Sequence, residues 1–387
     1  MNASPMYLDY AATAPLRDEV WEAMARARRK CGNPASAHGF GRDAHRHLEE
    51  ARETLSGLLG CAPGESLFTG GGTQSDNLAI LGFVRARAGR RPRVLLSAIE
   101  HKACLGAAER AEAEGATVRL LPVDSEGTVE LEALADELRA DADRPTLVSI
   151  LWANNEVGSV QPVARAAALA HEHGALFHTD AVQAFGKIPV SLETVPADLL
   201  TVTAHKLGGP VGIGLLVRRR DTELEPLAYG GSQERSLWPG TQNPVGAVGF
   251  AEAARLAVEE REAVAPAWRA MRDQMAAALR KAIPGLRVHA EHAPERLPNL
   301  LSVGIPECDT GSLLVSLDLE GVAASAGSAC SSGSSKGSHV LEAMGIGGTG
   351  EYATLRFSFG HDTTAEQVAH ATAVTADAAS RLAGSAV

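Results

Sequence analysis

One pattern constrains the fold more than any other feature of this 387-residue chain: short apolar runs that end in polar residues and alternate with helical segments. Residues 93–97, 146–151, 175–180 and 198–203 each have the length and aliphatic content of a buried strand. Their alternation with helices is that of a mainly parallel, doubly wound α/β sheet. Glu100 and His101 follow the first run, and Asn154 to Gly158 follow the second. Asp180 closes the third with Gln183 behind it, and His205 and Lys206 follow the fourth. Ligands bind at the carboxyl ends of the strands in an open sheet of this kind. Four polar clusters therefore share the edge where a site is expected.

A lysine at that edge suggests a Schiff base to a carbonyl cofactor such as pyridoxal 5'-phosphate (PLP). Taken singly, Lys206 reads as a solvated charge, His101 as a structural histidine and Asp180 as a cap; their convergence argues otherwise. A second signal is the segment 70–77, GGGTQSDN, which opens a helix whose Leu78, Leu81 and Val84 share a face. Thr73 and Asp76 have capping-box spacing, with Asp in place of Glu. Glycines there let backbone N–H groups approach a phosphate at a helix N-terminus, although a purely structural turn fits the same residues. The segment matches neither GxxxxGK[ST] nor GxGxxG.

The length calls for more than one core. Residues 1–15 read as an arm joining a smaller domain, 16–255 as a large α/β domain, and 256–387 as a small α+β domain. Residues 215–220 read as a further strand and 229–244 as an ordered Gly/Pro-rich loop. A helical region from about 245 to 283, interrupted near Pro266, carries an apolar stripe of Trp268, Met271, Met275 and Leu279. The last helix starts at Thr363 or Thr364, with Glu366 in capping-box register. The segment 325–337 is too small and polar to bury a core and carries one thiol, Cys330. A net charge of -11 argues against nucleic acid or an anionic membrane as partner. Five cysteines without a CxxC pair suit a reducing compartment and no metal site, and no segment reads as a signal peptide; a cytoplasmic protein is expected.

The segments YLDYAATAP, GNPASAHGFGR, FTGGGTQSDNLA, WANNEVGS, HTDAVQAFGK, TVTAHKLGGPVGIG, GTQN, SAGSACSSGSSKGSHVLEAMG and LRFSFG run almost the whole chain. Together they resemble, in order, the cysteine desulfurases of the NifS/IscS kind, within the class V aminotransferases. The resemblance implies the PLP-dependent transferase fold type I, with a mainly parallel seven-stranded-type sheet and helices on both faces. It implies that Lys206 holds PLP and moves the substrate Cα proton, that Asp180 pairs with the pyridinium nitrogen, and that His101 stacks on the ring. Asn155 and Gln183 would bond the ring side. Gly72, Thr73, Thr203 and His205 would hold the phosphate, with Thr241 reaching in from the partner subunit of a homodimer. Arg356, Asn155 and more weakly Asn33 would bind the substrate, L-cysteine. The Cys330 thiolate would take its sulfur as a persulfide, leaving alanine, and pass that sulfur to an acceptor protein. Trp238 stands where the family usually carries arginine, and is expected to alter access rather than chemistry. A selenocysteine lyase, or another class V transferase or lyase, stays open as an alternative.

Overall fold

The computed structural model describes residues 5–30, 32–327, 337–346 and 352–383. Its strands are β1 (Met6–Tyr7), β2 (Ser66–Thr69), β3 (Arg93–Ser97), β4 (Thr117–Leu121), β5 (Thr146–Ser149), β6 (Leu176–Asp180), β7 (Leu199–Thr203), β8 (Gly214–Arg218), β9 (Arg287–Val288), β10 (Leu300–Pro306), β11 (Val322–Ala323) and β12 (Tyr352–Ser358). Its helices are α1 (Asp18–Ala27), α2 (Gly39–Leu59), α3 (Gly72–Ala86), α4 (Lys102–Ala113), α5 (Leu131–Ala140), α6 (Val163–Glu172), α7 (Pro244–Ala282), α8 (Thr310–Leu319), α9 (His339–Ala343) and α10 (Ala365–Ala383).

Seven strands form one sheet in the order β2-β8-β7-β6-β5-β3-β4. Only β8 runs against its neighbours, β2 and β7. Successive side chains go to opposite faces. Leu95, Val148, Phe177, Leu200 and Val202 therefore enter one apolar cluster, while Val94, Leu96, Leu147 and Leu199 enter another with α3 and α4. Strands buried on both faces read as unbroken apolar runs, which is why β3, β5, β6 and β7 are legible in the sequence. β2 and β4 are not: β2 has only Leu67 and Phe68 between polar ends, without the apolar continuation that Ile150 and Leu151 give β5, and the edge strand β4 exposes Arg119 and Leu120.

A third cluster joins the stripe Trp268, Met271, Met275 and Leu279 to Leu301, Val303, Phe357 and Phe359 of the three-stranded sheet β12-β10-β9. Met6 and Leu8 of the N-terminal arm enter this cluster, and β1 pairs in parallel with β11. α7 bridges two cores, since Phe250 lies in the first cluster and Met271 in the third.

The interruption expected near Pro266 does not occur: α7 is one helix of 39 residues with Pro266 inside it. The proline is exposed, and its cost of about 3 kcal/mol is outweighed by burial of both flanks. The cap of the last helix also differs by one register: Thr364 exchanges bonds with Gln367, Oγ1 accepting from Gln367 N and Gln367 Oε1 accepting from Thr364 N, so Glu366 is not the box partner. Among the described residues no helix is long and apolar enough to cross a membrane.

Candidate active site

A cavity of about 310 Å³ opens at the carboxyl edge of the large sheet. Gly72, Thr73, His101, Asn155, Asp180, Gln183, Thr203, His205, Lys206 and Arg356, all expected there, line it. Asn33 does not: it lies before α2, where its side chain accepts from Ala35 N at 3.0 Å as a local turn bond. Thr241 is exposed and outside this cavity. Cys330 lies outside the described residues.

The end near Asp180 is built from buried acids. Asp180 terminates β6, where its Oδ1 accepts from Val182 N at 2.8 Å. Burial pushes its carboxyl up, while His101, the Val182 N–H and Lys206 oppose that push. One polar atom each from Asp180, His101 and Asp76 lie within 4.8 Å of one another. Burial, and next the neighbouring Asp180, drive Asp76 well above the usual carboxylate range; burial does the same to Glu100. For both, burial favours the neutral, protonated form. His178, between Ser149 and Thr201, is depressed to about 3 by burial and is neutral. In this set Asp180 is left as the acid that a cationic ring nitrogen would ionise. Asp76 is not the partner of a capping box: it is 1% exposed, and Gly71 caps α3 without a side-chain bond. His101 caps α4, Nδ1 accepting from Ala103 N at 3.1 Å, which places the proton of the neutral ring on Nε2.

The opposite end suits a phosphate. Because no side chain caps α3, the N–H groups of its first turn are open. Gly71 takes φ 144°, a conformation only glycine adopts readily. The adjacent Gly214 of β8 passes so close that a Cβ there would sit 2.7 Å from the Gly71 carbonyl carbon. His205 Nδ1 lies 3.1 Å from Thr13 Oγ1, and burial, then Lys206 and Lys187, depress the ring to about 4. The Thr203 hydroxyl donates to Ile213 O at 3.0 Å, so serving a phosphate requires it to rotate.

The centre is organised by the N-terminal arm, although no motif in it points to a chemical role. Lys206 Nζ donates to the carbonyls of Ala11 and Ala12, each at 2.6 Å. The arm is fixed in turn by Ala14 N to His205 O and by Ala11 N to Ser358 Oγ, both 2.8 Å. Gln183 Nε2 donates to Ala11 O at 2.8 Å, while its Oε1 accepts from Lys187 Nζ at 3.0 Å. Lys187, 5% exposed, is depressed to about 7 by burial first, then by Lys206 and Arg356.

Arg356, on β12, is 1% exposed. Its Nη1 donates to Asn155 O at 2.8 Å and Gly327 O at 3.0 Å; Nη2 donates to Asp9 Oδ1 at 2.6 Å. A guanidinium has five N–H groups. Among the described residues Nε has no partner, which leaves Nε–H and one Nη2–H for a carboxylate. Asp9 is a partner that sequence reasoning missed, although YLDYAATAP contains it. Trp238 packs against the cluster that includes Leu67 and Leu237.

An open helix N-terminus, an acid at the far end and a lysine between them fit a phosphorylated, ring-nitrogen cofactor. The aminotransferase class-V model matches residues 6–370. A putative cysteine desulfurase, IscS 1, from Bacillus subtilis (strain 168) is 42% identical over 97% of this chain and 99% of its own length. Among solved structures, a NifS-like protein has a TM-score of 0.90 at 36% identity, covering 98% of this chain and 100% of its own. A structure described as SspA in complex with cysteine gives 0.78 at 31% identity, covering 91% and 98%. With the family model and a full-length relative agreeing on a cavity of this chemistry, the chain belongs to the class-V aminotransferase family, a PLP-dependent group.

Proposed function

We propose that the chain is a cysteine desulfurase, which converts L-cysteine to L-alanine and collects the sulfur on Cys330. One observation carries this reading: Lys206, Asp180 and a buried guanidinium with open donors share a cavity in a chain whose relatives are named cysteine desulfurases. Bound PLP supplies the electron sink that loosens the Cα–H and Cβ–S bonds of an amino acid.

The chain's own groups do the rest. Gly72, Thr73, Thr203 and His205 take the phosphate, and Asp180 takes the ring nitrogen. Gln183 and Asn155 serve the ring side, and His101 covers its face. Lys206 would hold the cofactor, and its free amine would accept the Cα proton. Arg356 presents its remaining donors to the substrate carboxylate, with Asn155 beside it. The Cys330 thiolate attacks the substrate sulfur: an S–S bond forms, the Cβ–S bond breaks, and its electron pair stays on carbon, which is protonated to give alanine. Only the thiolate is competent for this attack. Exposure of Thr241 supports a homodimer in which it serves the partner's phosphate site. A sulfur-acceptor protein then relieves Cys330. The described cysteines Cys61, Cys104 and Cys308 are free thiols, which suits the reducing cytoplasm expected.

The test separates the two halves of the site. Lys206→Ala removes the visible band of bound PLP; Cys330→Ser keeps the band and loses both the persulfide, read by mass spectrometry, and alanine formation. Alanine formation that survives in Cys330→Ser would make the chain a lyase that needs no thiol, and conversion of cysteine to its keto acid with sulfur retained would make it a transaminase instead. Faster turnover of selenocysteine than of cysteine by the wild type would favour the selenocysteine lyase.

A further inference from the structure

The loop leading to Thr241 is strained. Glu234, Arg235 and Ser236 take φ of 42°, 58° and 61°, three successive non-glycine residues in the left-handed region. Each such residue costs about 1–3 kcal/mol unless its surroundings over-determine it, and here they do. The Glu234 side chain is 1% exposed and pairs with Arg52 of α2, 4% exposed. Its Oε1 accepts from Arg52 Nη2 at 2.9 Å and Gln242 Nε2 at 2.7 Å; its Oε2 accepts from Arg52 Nη1 at 3.0 Å and Phe68 N at 2.9 Å. Four donors saturate the carboxylate, the condition under which a buried ion pair is tolerated. Arg235 adds a second tie, donating to Ser66 O at 2.8 Å and Pro63 O at 3.2 Å.

Phe68 N–H and Ser66 C=O belong to β2, the edge strand of the large sheet. The loop thus satisfies groups that an edge strand leaves open. It is also locked to the strand that leads into the Gly70–Thr73 turn. Neither Arg52 nor Glu234 lines the cavity. Five residues after the last strained position stands Thr241, exposed, with Gln242 beside it bonded to Glu234.

We propose that the Arg52–Glu234 pair is a positioning clamp: it holds residues 234–242 in the strained form that presents Thr241 to a second copy of the chain, so that one protomer's ion pair secures the cofactor phosphate of the other. The inference rests on the reading of Thr241 given above and names Arg52, Glu234 and Gln242 as positioning residues.

The experiment reads the rate of PLP release from holoenzyme diluted into a PLP-trapping protein, followed by absorbance. Glu234→Gln and Thr241→Ala should each release the cofactor about tenfold faster, the worth of one charge-assisted hydrogen bond. The double variant should be no faster than Thr241→Ala alone, because both act through one contact. Mixed dimers separate this role from a local structural one. In a dimer of Glu234→Gln with Lys206→Ala, the site that keeps Lys206 faces a partner with an intact clamp, and its release should return to the wild-type rate. Gln242→Leu, which removes one bond and leaves the ion pair, should shift release in the same direction by less and serves if Glu234→Gln does not fold.

Additive effects, or fast release persisting in the mixed dimer, would overturn the clamp while leaving the role of Thr241 intact. Wild-type release by Thr241→Ala would overturn that role, and the clamp with it.

Discussion

Replacing Lys187 by methionine should make the protein more stable and its cofactor site worse. Lys187 is 5% exposed, its ammonium donates to the Gln183 carbonyl and Oε1, and the cations Lys206 and Arg356 act on it. Its folded-state value is about 7, depressed mainly by burial. In the unfolded chain it titrates near the ordinary lysine value, so the unfolded state binds the extra proton between the two. Stability therefore rises with pH through that window, and the penalty is complete below the folded value. At about pH 7 the penalty comes to ~4 kcal/mol, from 1.36 kcal/mol per unit. Methionine has no charge to desolvate and fills similar space, so Lys187→Met should gain up to that amount, less ~1 kcal/mol for the lost bonds to Gln183.

Absolute stabilities are clouded by cofactor binding, which stabilises whichever form it prefers. The pH dependence is cleaner. Urea unfolding of both holoenzymes at saturating PLP should show the advantage of Lys187→Met shrinking by ~1.5 kcal/mol between about pH 7 and about pH 8.5. Of the other groups near this lysine, Arg17, Glu260, His361 and Arg356 are present in both proteins, and Lys206, whose titration the substitution shifts, is followed separately by the visible band. A constant difference across that range, or a variant less stable at every pH, would refute a lysine held near neutrality. The same variant frees the Gln183 amide to flip, so the visible band of bound PLP should titrate at a different pH than in the wild type.

Asp9→Asn keeps an acceptor for Arg356 but removes the opposing charge; KM for cysteine should rise about tenfold with kcat little changed, the difference between a charged and a neutral hydrogen bond. A fall in kcat at constant KM would place Asp9 in the chemistry instead. Gly214→Ala should force β8 away from the Gly71 turn, and the PLP dissociation constant, measured by fluorescence titration, should rise at least tenfold; unchanged affinity would mean that the close approach has no part in phosphate binding. Trp238→Arg should change transfer to a protein acceptor more than alanine formation with a small thiol acceptor; equal effects on both would remove the reading of Trp238 as a residue that governs access.

Much of the site is legible in the sequence because parallel strands buried on both faces are continuous apolar runs, and their carboxyl ends must lie on one edge. Asp180, His205 and Lys206 follow from that rule, and glycines before a helix point to the phosphate end. Asn33 stands in a turn outside the cavity: its residue type and neighbourhood suit a substrate contact and a turn equally, and chain path decides its place. The Asp76 capping box fails for a similar reason: spacing gives helical register, whereas the depth of that helix end beneath the sheet edge converts a cap into a buried acid.

The sequence by itself thus determines the α/β class, the edge that carries the site and the residue types found there, since these depend on periodicity along the chain. Only the tertiary structure decides which distant residues meet: Ala11 and Ala12 with Lys206, Ala11 with Gln183, Asp9 with Arg356, and Arg52 with Glu234. Pairs separated by scores to hundreds of positions leave no local pattern. Their hydrogen bonds exist because burial removes water from both partners, and that burial is a property of the packed chain rather than of any segment.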